Sequence, residues 1–340
     1  LLEDSVKRHL ISDAPIGTFL SGGLDSSVIT ALAAKNVKQL RTLSLIFNEK
    51  GYSEEYYQDL IVKKYKTNHT KYLITQDIFK ENIHNFISSM DQPSIDGINT
   101  FFVSKAAKDI GLKTVLSGLG GDEIFYGYST FKNSRKLNVL SKLPSSFISL
   151  LGRASKYEKH SDLLKIENEL NLYLPTRGIF SISEISSYLG VSKIYIYKLI
   201  SKVWEENRTD HLNYIDDKIS KLELSLYMKN QLLRDSDVFS MANSLEIRVP
   251  LLDRELVNYV LRINPKMKFD KKVNKIILAD AARNLLPEEV ISRKKMGFTL
   301  PFANWFSNSI DDFDINPLYQ GKEISWFKKW SPLVLDKYNN

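Results

Sequence analysis

The stretch LSGGLDSSVIT, residues 20–30, sets two glycines and four hydroxyls around one acid, where an apolar run gives way to a helical one. Gly22 and Gly23 let the backbone fold back so that its N–H groups converge, and a helix beginning at Leu24 adds its positive end. The result is a cradle for an anion. Ser21, Ser26 and Ser27 add hydroxyl donors. Asp25 is out of place beside a phosphate unless a divalent cation stands between them, and a Mg²⁺ bridging carboxylate and phosphate oxygens resolves the conflict. No lysine ends this loop, unlike the best-known phosphate loop, whose lysine reaches the outer phosphates. A second turn, SGLGGDEIFYGY at 117–128, repeats the pattern with three glycines and then the adjacent acids Asp122 and Glu123. Across one crevice, these two carboxylates can take the second side of a metal–diphosphate unit.

Both turns need elements that bring them together. IGTFL (16–20), RTLSLIF (41–47), HTKYLI (69–74) and KTVLSG (113–118) read as strands. Between them, helical patterns run over 24–34, from a capping Ser53 to about Tyr65, over 76–89 and over 100–110. Strands separated by helices predict an α/β fold, a parallel sheet with helices on both faces. Ligands of such sheets bind past the carboxyl ends of the strands, and both glycine-rich turns follow strands there. From about 130 onward helical patterns dominate. The expected organisation is an α/β core over 1–130 and a mainly helical part over 131–340 that completes the site.

The chain has 340 residues, 43% hydrophobic and 26% charged, enough for one large core or two ordinary ones. With no cysteine, disulfides, thiolate metal sites and a cysteine nucleophile are excluded. An excess of 47 Lys and Arg over 40 Asp and Glu gives +7, but the basic residues are scattered among acids with no aromatic-laced stripe. That distribution favours an anionic small molecule over nucleic acid. No apolar run reaches roughly 18 residues and no signal-peptide pattern is present, so neither a membrane nor export is expected and the reading is cytoplasmic.

SGGLDSS resembles the pyrophosphate loop of the ATP pyrophosphatases. Taken with SGLGGDEIFYGY, RDSDVFSMANSLEIRVPLLD (234–253) and SRKKMGF (292–298), the chain resembles the synthetase domain of the glutamine-dependent asparagine synthetases from about residue 1 to 305, with four motifs in that family's order. The resemblance implies an adenine nucleotide α hydrolase-like core and ATP as cosubstrate with Mg²⁺. It also implies transfer of AMP to a carboxylate, aspartate or a related acid, with release of pyrophosphate. Ammonia from a glutaminase domain then attacks the acyl-adenylate to form an amide. By the same resemblance Ser21, Gly22, Gly23, Asp25, Ser26 and Ser27 hold the pyrophosphate, Asp25 and Asp122 bind Mg²⁺, Ser117 and Gly118 lie along the AMP, and backbone near Leu45 reads the adenine. Lys295 steadies charge on the phosphates, and Lys275 is a further contact for the same anion. Glu246 and Arg248, charges inside an apolar run, read as a pair, with Glu246 equally a candidate catalytic acid.

Three departures qualify the resemblance. The best-known asparagine-making members carry a glutamate general base where this chain has Leu119, so Glu123 or Glu246 becomes the candidate proton acceptor. Where those members use an arginine to grip the aspartate carboxylate, this chain has Asp96. The Ser-Gly-Leu-Gly-Gly-Asp-Glu turn is closer to a branch that includes amidotransferases of cell-surface polysaccharides, and ring-closing β-lactam and lasso-peptide synthetases also use this domain. The glutaminase domain would precede residue 1, so the natural chain is expected to be longer. A homodimer is compatible with the resemblance.

Overall fold

The computed structural model describes residues 1–49, 51–140, 166, 168–270, 273–297, 300–307 and 325–339. After helix α1 (Leu2–His9) the chain alternates β1 (Ile16–Phe19), α2 (Leu24–Ala34), β2 (Arg41–Ile46), α3 (Glu55–Tyr65), β3 (Asn68–Leu73), α4 (Gln76–Ser88), α5 (Gly97–Asp109) and β4 (Thr114–Leu116). These are the expected elements, with boundaries shifted by a few residues at most. β2 is buried along its middle four residues, as a strand covered on both faces must be.

The sheet has five parallel strands in the order β3-β2-β1-β4-β5. Its fifth strand, β5 (Glu246–Arg248), was not expected from the sequence. β2 and β3 extend the sheet to one side of β1, and β4 and β5 extend it to the other. Right-handed crossovers therefore put α2 and α3 on one face and α4 and α5 on the opposite face. The connections leaving β1 and β4, which are neighbours, part in opposite directions, and that opens a crevice at their carboxyl ends. The core joins Leu43, Leu45 and Val115 of the sheet to Phe86, Phe102, Phe239, Phe302 and Trp330, with the Phe86 and Phe239 rings stacked 4.8 Å apart.

Residues Leu1–Phe125 and Met228–Asn340 form one compact unit and Tyr126–Tyr227 a second. The second unit is helical. α6 (Gly121–Ile124) ends the first stretch, and α7 (Ser129–Leu140) begins the helices whose core includes Phe131, Leu170, Tyr173, Ile219 and Leu222. Inside it, Arg177 pairs with the buried Glu223 and lies between the rings of Tyr128 and Tyr227, 4.4 and 3.9 Å from their centroids. The chain re-enters the first unit during a π-helical stretch, Glu223–Leu232, followed by the helix Leu233–Met241 and β5.

Candidate active site

The turn from β1 to α2 is built from its own hydroxyls. Ser26 Oγ lies 3.0 Å from Ser21 Oγ, accepts from the Ser21 N–H at 3.2 Å and donates to the Gly23 carbonyl at 3.2 Å. Gly22 has φ +79°, and a Cβ there would stand 3.0 Å from Tyr57 Cβ, so the turn tolerates no side chain. Gly23 is the N-cap of α2, and Ser26 and Ser27 are buried in its first turn. The Ser44 hydroxyl, on β2, donates to the carbonyl of Leu20 and ties the start of the turn to the sheet.

The second turn presses directly on the first. Ser117 donates its N–H to the Arg248 carbonyl at 2.8 Å, anchoring the end of β4 to β5. A Cβ on Gly118 would lie 2.9 Å from Ser26 N, and one on Gly121 would lie 2.1 Å from Asp25 Oδ1. The glycines of this turn therefore let Asp25 and Asp122 approach one another.

Four charges meet where the turns touch. Lys275, only 3% exposed, pairs with Asp25 and, at 2.7 Å, with Asp122 Oδ1, and Lys295 reaches the same Asp122 oxygen at 2.6 Å. Asp25 Oδ1 is buried without a hydrogen-bond partner. Burial pushes the Asp25 carboxyl above its ordinary range, with the charge of Asp122 adding to the shift and Lys275 opposing it. Burial acts on Asp122 too, but Lys275 and Lys295 together outweigh it and hold that carboxyl below its ordinary value. Lys275 also suffers burial, yet its two carboxylates hold its pKa above that of a free lysine. Lys295 goes the other way, lowered chiefly by burial, with the Lys275 charge adding to the effect. The crevice thus holds two carboxylates and two ammonium groups in a poorly solvated space, where charge–charge interactions are much stronger than in water.

The remaining expected residues divide. Leu45 is buried in β2 opposite Tyr72 of β3. Glu123, 1% exposed, lies in α6 beside Asp122. Asp96 is the N-cap of α5, at the crevice edge because α5 descends to the start of β4, and it accepts from Gln231 Nε2 at 3.0 Å. Glu246 is a correction. The register pairs it with Thr114, at the opposite end of β4 from the crevice, and its exposed carboxylate closes on Arg248 at 2.8 Å. Its charge pairs as the sequence suggested, but the sheet carries it away from the chemistry. Phe298 of SRKKMGF lies outside the described residues.

Sequence reasoning missed Arg293. Its guanidinium donates to the Gly22 carbonyl at 2.8 Å, pairs with Glu54 and stacks on Tyr57, 4.2 Å from the ring centroid. The signal was its position in the same motif as Lys295, where three consecutive basic residues masked their different roles. Among the described residues no group of three or more acidic, histidine or cysteine side chains converges on one point. None of the described helices is long and apolar enough to cross a membrane.

Residues 1–320 match the asparagine synthase family. The chain is 28% identical to the glutamine-hydrolysing asparagine synthetase 1 of Bacillus subtilis, over 96% of this chain and 52% of that protein. It is 28% identical to a putative glutamine-hydrolysing asparagine synthetase of Mycobacterium tuberculosis, over 90% of this chain and 48% of the relative. A putative glutamine-hydrolysing asparagine synthetase 2 of Methanocaldococcus jannaschii is 39% identical over 51% of this chain and 33% of its own length. The chain spans about half the length of the first two of these curated relatives.

Proposed function

Because the chain belongs to the asparagine synthase family, we propose that it is the part of an ATP-dependent amide ligase that activates a carboxylate as its adenylate. The observation that carries this reading is the meeting of the SGGLDSS and SGLGGDE turns around Asp25, Asp122, Lys275 and Lys295. A carboxylate oxygen of the acceptor attacks the α-phosphorus of ATP, the α–β bridging bond breaks and pyrophosphate leaves. Ammonia drawn from glutamine by a glutaminase domain then attacks the acyl carbon, AMP departs and an amide remains.

Ser21, Gly22, Gly23, Asp25, Ser26 and Ser27 cradle the pyrophosphate in this reading, while Ser117 and Gly118 flank the AMP and backbone near Leu45 meets the adenine. Lys295, 31% exposed, offsets charge that develops on the phosphates. Lys275 acts from behind the carboxylates and keeps them apposed. The donors fit a Mg²⁺ ion: two carboxylates share one lysine, one buried Asp25 oxygen is unpartnered, and Mg²⁺ typically takes one or two carboxylates together with substrate phosphates. Asp25 and Asp122 would hold the ion, which supplies charge neutralisation on the departing pyrophosphate. Glu123, within the second turn beside Asp122, is the acid assigned to take the proton of an incoming amine.

The acceptor is aspartate or a related acid. Leu119 and Asp96 favour a second reading within the same chemistry, amidation of a sugar acid, because an aspartate at the crevice edge repels a second acceptor carboxylate and accepts hydroxyls. Pyrophosphate release from ATP and Mg²⁺ with ammonium, compared for no acceptor, aspartate and a panel of uronic acids, separates the two. Release driven by aspartate alone, with asparagine formed, establishes an asparagine synthetase domain. Release driven by a uronic acid moves the substrate, and no release with any acceptor overturns the adenylation reading.

A further inference from the structure

Arg293 is 7% exposed and its partner Glu54 10%, so the guanidinium is fixed on three sides by the Gly22 carbonyl, the Glu54 carboxylate and the Tyr57 ring. Two of its donors are committed and its face is covered by the ring, so its position is set by the loop and by the start of α3. The Gly22 carbonyl belongs to the peptide at the centre of the first turn. In a trans peptide the C=O and the following N–H point opposite ways. With the carbonyl drawn to Arg293 at 2.8 Å, the Gly23 N–H points the other way and donates to Ser21 Oγ at 3.3 Å. With glycine on both sides, this peptide can rotate at little steric cost. The flipped form would aim a carbonyl oxygen where the N–H now points and turn a donor cradle into an anion-repelling one.

We propose that Arg293 is a positioning residue that locks the Gly22–Gly23 peptide in its anion-binding orientation and ties that loop to the start of α3. The inference rests on the reading of residues 20–27 as a pyrophosphate cradle. Arg293 is in extended backbone, φ −62° and ψ 148°, where residues two apart project to the same side and the one between them to the other. One short motif therefore sends Arg293 to the loop's carbonyl and Lys295 to Asp122. A lysine at 293 could reach either the carbonyl or Glu54 but could not span both and stack on Tyr57, because those tasks need the planar fork of a guanidinium.

The test is calorimetric titration of inorganic pyrophosphate with Mg²⁺ into the wild type, Arg293→Ala, Arg293→Lys and, as a charge-matched control, Lys294→Ala. Arg293→Ala should weaken binding by more than about tenfold and Arg293→Lys by roughly threefold to tenfold, the order expected when a charge-assisted fork is lost or replaced. Lys294→Ala should bind as the wild type does. Millimolar guanidinium should restore binding to Arg293→Ala, and the weakened binding of Arg293→Lys should come with an unchanged urea midpoint, which would not follow if the arginine only held the fold together. If Arg293→Ala does not fold, Arg293→Lys decides. Wild-type binding in the arginine variants overturns the assignment while leaving the cradle standing. Failure of the wild type itself to bind pyrophosphate overturns the cradle and the role of Arg293 with it.

Discussion

Lys295 and Lys275 differ in what the crevice does to them. Burial lowers Lys295, whereas two carboxylates raise Lys275. Lys295 therefore sheds its proton at lower pH than an ordinary lysine. Pyrophosphate release should fall on the alkaline side at a pH below the usual lysine range, and Lys295→Arg, which stays charged, should move that limb upward in a pH–rate profile even if the rate is lower. Gly121 makes a separate demand. An alanine Cβ would lie 2.1 Å from Asp25 Oδ1, so Gly121→Ala must push the two turns apart. The expected cost is about 1–3 kcal/mol in denaturant unfolding, as for other overpacked sites, with a larger loss of pyrophosphate affinity than of stability. At this scale the sequence was informative wherever residue type and conformation were linked. Glycines and acids named both turns, but the different partners of Arg293 and Lys295 depend on which loops the fold brings to each side chain, and a run of three basic residues does not encode that.

The helix Leu233–Met241 brings a further buried carboxylate, Asp235, beside the segment that leads into α5. Asp235 accepts from Ser94 Oγ at 2.6 Å, and burial pushes its carboxyl up to about 7, with Asp96 and Asp91 adding to the rise and Ser94 opposing it. An acid raised on folding binds its proton more tightly in the folded state. Its cost to stability is therefore absent at low pH and grows as pH rises from about 4 to about 7. Asp235→Asn should flatten the stability–pH curve over that window and leave the variant more stable than the wild type at pH 8, by a few kcal/mol at roughly 1.4 per pKa unit. An unchanged slope in urea titrations would remove Asp235 from this role. The elements themselves were legible where periodicity was long: α2, α4 and α5 stand close to where their apolar spacing put them. β5 was not, because a three-residue strand inside SLEIRVP has no period of its own and pairs only through the register that β4 offers. That is also why Glu246 was misplaced as a catalytic acid.

Across the whole molecule, the fold of the first unit is closed by residues far apart in the chain, Leu1–Phe125 and Met228–Asn340, with Tyr126–Tyr227 forming a unit of its own between them. The charge cluster follows the same plan. Asp25 and Asp122 come from the first stretch, Lys275 and Lys295 from the second. From the sequence alone the carboxyl-terminal half read as a run of helices, since nothing in local pattern announces that a chain will return to a sheet it has left. The parallel sheet, its helical faces and the crevice depended only on the alternation before residue 120, which is why they were accessible.

The position of β5 has a consequence for a chain made from its amino terminus onward. β4 forms one border of the nascent sheet, and its hydrogen-bonding edge stays open until Glu246–Arg248 arrives, after the entire intervening unit has been synthesised. An open strand edge is a template for unwanted pairing. A fragment ending at Phe125 should accordingly associate in light scattering at concentrations where the full chain remains dispersed, and adding charge to that edge with Val115→Lys would not help, because Val115 is buried in the core. The growing polypeptide thus passes through an interval in which its nucleotide loop already exists while the strand that seals the sheet does not, and whatever guards that interval guards the yield of the protein.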